Sequence, residues 1–200
     1  MAGTIKIGGV ALASYSDSTA NISLDNNVVF PAGHVIQVKQ FVFSKIASTS
    51  SATLTEITDG TIKFQDSITV KANSKILVKV DMHIGITGNQ GHFVDLQRST
   101  DDSSYSQVTQ LQCTSSSPAN QGGFNGALSL IYHAGLTLKK ETIDYLDETI
   151  TSAGTYYYKL FYKRGSTGTV GVNYPPNIGS STNPDYGAGV STMTLMEIAG

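Results

Sequence analysis

The chain has 200 residues, with 13 Lys and Arg against 15 Asp and Glu, a formal net charge of -2, and charged residues make up only 14% of it. A neutral, lightly charged chain offers no clustered cations to nucleic acid or an anionic membrane surface, and its length suits one large all-β unit. Cys113 is the single cysteine, so no intrachain disulfide staples the fold.

Residues 1–30 are rich in Gly, Ala, Ser, Asp and Asn, with small apolar islands around Ile5, Val10 and Ile22. The apolar stretch 9–13 is too short for a signal core, and no run reaches the roughly 20 apolar residues of a membrane span. Asn21-Ile22-Ser23 fits a glycosylation sequon without a secretory signal to bring it into use. We expect this segment to be an N-terminal arm, with a disordered tail as the alternative. The alternations Thr4-Ile5-Lys6-Ile7 and Asn21-Ile22-Ser23-Leu24 favour an extended arm whose strand-like pieces add to another protein's sheet edge.

Pro31-Ala32-Gly33 marks entry into a main domain spanning 31–200. A strand from His34 sets Ile36, Val38 and Val42 against Gln37, Lys39 and Phe41. A loop is expected at 48–52, short strands at 53–58 and 61–65 broken by Asp59-Gly60, and another at 68–70. The strongest signal follows at 74–87. Ile76, Val78, Val80, Met82, Ile84 and Ile86 form one apolar row, while Lys79, Asp81 and His83 fall on the other side. Strand side chains alternate faces, so this is a long antiparallel strand with one dry face; helical spacing would mix Lys79 and Asp81 into the apolar set.

Gly88-Asn89-Gln90-Gly91 reads as the turn of a hairpin, with 92–98 returning as a strand. A polar loop at 100–106, a strand at 107–112, a Ser, Pro, Asn and Gly loop at 114–123 and a strand at 124–133 follow. Over 138–150 a helix competes, since Ile143, Leu146 and Ile150 have helical spacing, but alternation favours a strand ending near Asp147. The most aromatic run, from Thr155 to Lys163, puts Tyr156, Tyr158, Leu160 and Tyr162 on one face and Tyr157 and Phe161 on the other. A strand apolar on both faces needs cover on both, so its second face is expected to meet a symmetry mate in a homotrimer. Residues 164–189 read as a long loop and 190–198 as the last strand. Roughly ten short strands without a fixed repeat predict an all-β fold, an antiparallel β-sandwich of the jelly-roll kind with an extended N-terminal arm, and an immunoglobulin-like sandwich as the alternative.

Several stretches resemble a family of structural proteins of marine tailed bacteriophages, their tail-fibre or appendage proteins. They are Val29 to Val38, Ser74 to Val78, Asp95-Leu96-Gln97-Arg98-Ser99, Asp144-Tyr145-Leu146-Asp147, Gly154 to Leu160, and Ser191 to Ile198. The likeness runs from Val29 to the end, in the order and wording of the strands, and no single motif carries it. It implies a β-sandwich virion component made in the host cytoplasm, a tail-fibre, head-fibre or decoration subunit that is often trimeric and has no catalytic residues. Where the family often has Pro after the Tyr-Leu-Asp strand, this chain has Glu148. Lectin-like carbohydrate binding is the alternative function, and a polysaccharide-degrading esterase or glycosidase ranks last.

The residues offer no catalytic or metal constellation. His34, His83, His92 and His133 lack metal-site spacing, and no acidic loop matches a calcium pattern. Gly85-x-x-Gly88-x-x-Gly91 does not open a helix, so it is not read as a phosphate loop. Asp101-Asp102 and Asp147-Glu148 are adjacent pairs, not opposed across a cleft. No cofactor is expected. The expected ligand-contacting stretch is the long loop, where Tyr174 and Tyr186 offer rings to stack on sugars while Asn177 and Asp185 offer polar groups to hydroxyls. The expected partners are copies of the chain, other virion proteins through the arm, and a host-surface glycan or protein.

Overall fold

The structure, a computed structural model, describes residues 3–7, 10–15, 22–24, 29–87, 91–111, 128–130, 138–165, 167–176 and 187–200. Among these no α-helix occurs, and the chain is built of antiparallel strands. β1 (Gly3–Ile7), β2 (Val10–Tyr15) and β3 (Ile22–Leu24) form a three-stranded sheet of their own, in which Ile5 lies opposite Ala13 and Ala13 opposite Leu24. The strand-like pieces expected to be extended therefore satisfy one another's backbone groups through β2.

The remaining strands make two six-stranded sheets. The first contains β4 (Val35–Phe43), β5 (Ala47–Thr49), β8 (Lys75–Ile86), β12 (Lys139–Asp147), β14 (Val170–Val172) and β15 (Ser191–Ile198). The second contains β6 (Thr55–Glu56), β7 (Gln65–Val70), β9 (His92–Ser99), β10 (Ser106–Gln107), β11 (Leu128–Leu130) and β13 (Gly154–Arg164). The order in the first is β4-β15-β8-β12, facing β7-β13-β9 and then β10 and β11. β10 and β11 both pair with β9 and count as one position, and numbered along the chain the eight positions read 1-8-3-6 against 2-7-4-5. Two interleaved Greek keys give that order, so the sandwich is a jelly roll, not an immunoglobulin-like sandwich.

Each sheet is built on one long central strand. Along one edge β8 pairs with β12 from Ile76 to Ile84; along the other it pairs first with β15 and then with β14. The apolar row from Ile76 to Ile86 is buried throughout, as its alternation requires. Opposite, β13 sends Tyr156, Tyr158, Leu160 and Tyr162 into the same core, and Phe43 stacks on Phe64 with ring centroids 5.0 Å apart.

Several expectations change. β8 and β9 do not pair with each other as the arms of the expected hairpin: both edges of β8 are occupied, and β9 pairs in the opposite sheet. Residues 170–172, expected in a loop, are a buried strand inserted between β8 and β5, and Ser48 and Thr49, expected in the loop 48–52, likewise pair as part of β5. The edge strand β4 has reversed polarity. Val38 and Val42 are exposed, whereas Lys39 reaches Asp66 at 2.7 Å and Gln37 donates to Glu197 and to the Thr69 carbonyl on the core side. The second face of β13 is not uniformly apolar. Lys159, only 2% exposed, stands between Tyr157 and Phe161, bonds Glu56 at 3.0 Å and lies 3.8 Å from the Tyr105 ring centroid. Tyr105 also packs on Phe161. The chain thus supplies its own cover there, and the face that argued for a symmetry mate is largely spoken for.

Candidate functional site

At the end of the sandwich where β9 and β12 finish, a groove of about 440 Å³ opens between 98–110 and β12. Its walls include Arg98, Ser106, Gln107, Gln110, Tyr145 and Thr149. The strands place these groups. Arg98 sits on the core-facing row of β9 but at its end, so its guanidinium leaves the core and reaches across to the other sheet. There it donates from Nη1 to Asp147, the last residue of β12, and to Thr149 Oγ1 at 2.6 Å. Asp147 is fully buried. It also accepts from Tyr158 OH at 2.7 Å, Thr149 Oγ1 at 2.7 Å and the Thr149 amide at 3.0 Å. Burial alone would raise its pKa, but the hydrogen bonds from Thr149, Tyr158 and Arg98 outweigh it and hold the carboxyl below its usual value.

Arg98 and Thr149 line the groove with Asp147 buried behind them, so this side of it holds one cation paired with one anion and no net charge. Also in the lining, Tyr145 donates to Gln110 Oε1 at 3.3 Å, and its hydroxyl pKa is pushed up to about 12, by burial first and by the charge of Asp147 second. Gln107 donates to Asp95 at 2.9 Å. Hydroxyls, amides and one aromatic ring beside a paired cation and anion suit a polyhydroxylated ligand better than an ion. Among the described lining residues there is no histidine or cysteine, and Asp147 is committed to its four donors, so no nucleophile and base come together here. Among the described residues no His, Cys, Asp and Glu group converges as a metal site either. The sequence reading passed over this groove because its walls come from the ends of two strands and a polar loop, and no local pattern marks their meeting.

Of the expected ligand-contacting residues, Asn177, Asp185 and Tyr186 lie outside the described residues. Tyr174 lies at the opposite end of the sandwich from the groove. It is half-buried, and 174–176 fold back over β8 and β14. A Cβ on Gly171 would meet the Tyr174 carbonyl at 2.6 Å, and one on Gly85 would meet Pro175 Cα at 2.7 Å, so both glycines are needed for this close approach.

No protein-family model matches the chain, and no curated protein matches it in sequence. Solved structures of infectious bursal disease virus resemble it at a low level. The Gx strain structure has 12% identity and a TM-score of 0.39, covering 94% of this chain and 43% of that one. For the Gt strain the values are 11%, 0.36, 94% and 44%. For the VP2 subviral particle of that virus they are 11%, 0.32, 88% and 45%. The chain spans less than half the length of each, and the jelly-roll assignment rests on its own strand order.

Proposed function

We propose that this protein is a non-enzymatic structural subunit of a virus particle, an appendage or decoration component of the tailed-phage kind, located in the virion after synthesis in the host cytoplasm. The observation that carries this reading is the 1-8-3-6 against 2-7-4-5 strand order, because jelly rolls recur in viral capsid and lectin domains. The wording of the strands from Val29 to Ile198, which resembles phage appendage proteins, narrows it from capsid-like domain to appendage. In this reading the N-terminal sheet joins the subunit to other virion proteins, and copies of the chain associate, as trimers in the resembling family. The test is mass spectrometry and labelled-antibody microscopy of purified virions. The protein should remain with infectious particles at a fixed copy number through density-gradient purification and after a salt wash; its recovery only in the soluble lysate overturns the assignment.

The second reading is a lectin-like carbohydrate-binding module, favoured by the groove beside Tyr145 and Gln110. A glycan array probed with the isolated protein tests it. Binding lost in Tyr145→Phe or Gln110→Ala with the melting temperature unchanged places the ligand in the groove. Loss in Tyr174→Ala or Tyr186→Ala places it on the long loop instead. No binding to any glycan removes this reading and leaves the first.

A further inference from the structure

We propose that the outer face of the first sheet is where a second copy of this chain docks through a two-fold contact, which pairs copies rather than closing the trimer of the resembling family; the proposal rests on the reading that copies associate and specifies the surface of that pairing. The reversed polarity of β4 is the starting point. Val38 is 58% exposed, and the strand ladders carry an apolar row across all four strands from it. Val38 lies opposite Met196, Met196 opposite Leu77, and Leu77 opposite Leu146, which is 39% exposed. A solvent-facing row of this kind departs from the alternation of an antiparallel sheet with one wet face.

The occupant follows from the pattern itself, because the face is complementary to a copy of itself. The neighbouring row reads Gln40, Thr194, Lys79 and Asp144, with Lys79 and Asp144 paired at 3.1 Å. A two-fold axis in the plane of contact, parallel to the strands and between β15 and β8, exchanges β15 with β8 and β4 with β12. Met196 then covers Leu77 of the other copy, and Val38 covers Leu146. In the next row Thr194 meets Lys79 and Gln40 meets Asp144, so each ion faces a neutral hydrogen-bonding group and none faces a like charge. Two such faces would stack as aligned sheets do within a sandwich. Four strands of about eight residues give a footprint of roughly 500 Å² per copy before corrugation. That is at the low end for a stable interface, so association is weak in dilute solution and is favoured by the high local concentration on a particle.

Sedimentation velocity on the full chain, from micromolar to millimolar concentration, tests the proposal. A concentration-dependent pairing of copies is expected. Val38→Lys and Leu146→Lys should each weaken it roughly tenfold and together roughly a hundredfold. The β-sheet circular dichroism and the melting temperature should not change, because both side chains are exposed. Ile62→Lys, in the hairpin between Glu56 and Phe64 away from this face, should leave the pairing unaltered. A chain that stays monomeric at every concentration overturns both self-association and this surface. Self-association that persists undiminished in the double variant overturns this surface and leaves self-association standing.

Discussion

Asn173 shows how one side chain can hold several strands. Its φ of 65° places it in the left-handed region, which Asn tolerates better than most residues. Its Nδ2 donates to the carbonyls of Phe43 and Lys45 at 2.7 and 2.8 Å, and its Oδ1 accepts from Ser191 Oγ at 2.5 Å. Its amide donates to the His83 carbonyl, and its own carbonyl accepts from Gly189. Asn173→Ala should therefore cost about 3 kcal/mol in urea unfolding, since buried carbonyls and a hydroxyl lose partners and the backbone is strained. Asn173→Gly should recover about 1 kcal/mol of that by removing the strain alone. His92 makes the opposite case. It is 1% exposed, neither ring nitrogen has a hydrogen-bond partner among the described residues, and burial lowers its pKa to about 4 from an ordinary 6.5. The unfolded chain takes up this proton first, so the stability held by the neutral ring is complete above about pH 6.5 and is lost progressively as pH falls to about 4, by roughly 3 kcal/mol. Thermal melts across that range should show the fall, and His92→Leu should flatten it.

At the scale of elements, the two sheets are tied at the groove end by a charge pair that neither sheet could keep alone. Arg98 comes from β9 and Asp147 from β12, while Tyr158 of β13 donates to the same carboxylate. Arg98→Ala leaves a buried carboxylate without its cation and should cost about 3–5 kcal/mol by denaturant titration. Replacing both partners, as Arg98→Met with Asp147→Leu, should cost clearly less, because the price of desolvating the charges is then removed with them. If the double variant is as unstable as the single one, packing rather than charge governs this corner. The same balance applies to Lys159, whose burial is compensated by Glu56. The carboxyl of Glu56 would be raised by burial but is held down by hydrogen bonds from Lys63 and Lys159.

For the whole molecule, the strand order separates an N-terminal sheet that pairs, among the described residues, within itself from a jelly roll whose two sheets share one core. Deleting residues 1–27 should leave the melting midpoint of the sandwich unchanged, because among the described residues none of its ladders uses β1, β2 or β3. The truncated protein should fail to join virions. Normal incorporation without those residues would show that attachment lies elsewhere on the chain.

The sequence by itself determined the strands whose two faces meet different environments. The row from Ile76 to Ile86 could be read as buried because alternation is a local property, and the competing helix over 138–150 lost to alternation in the structure as well. Only the tertiary structure decided which strands pair. Whether β8 and β9 form a hairpin or fall in different sheets depends on whether the edges of β8 are free, and β12, β14 and β15, distant in sequence, occupy them. The polarity of β4 escaped for the same reason: an edge strand that overhangs the core can turn its polar row inward to Asp66, Thr69 and Glu197, so Val38 and Val42 are left outside. The groove was equally illegible, since Arg98 and Asp147 stand 49 positions apart and only the stacking of one sheet on the other brings a guanidinium to a carboxylate.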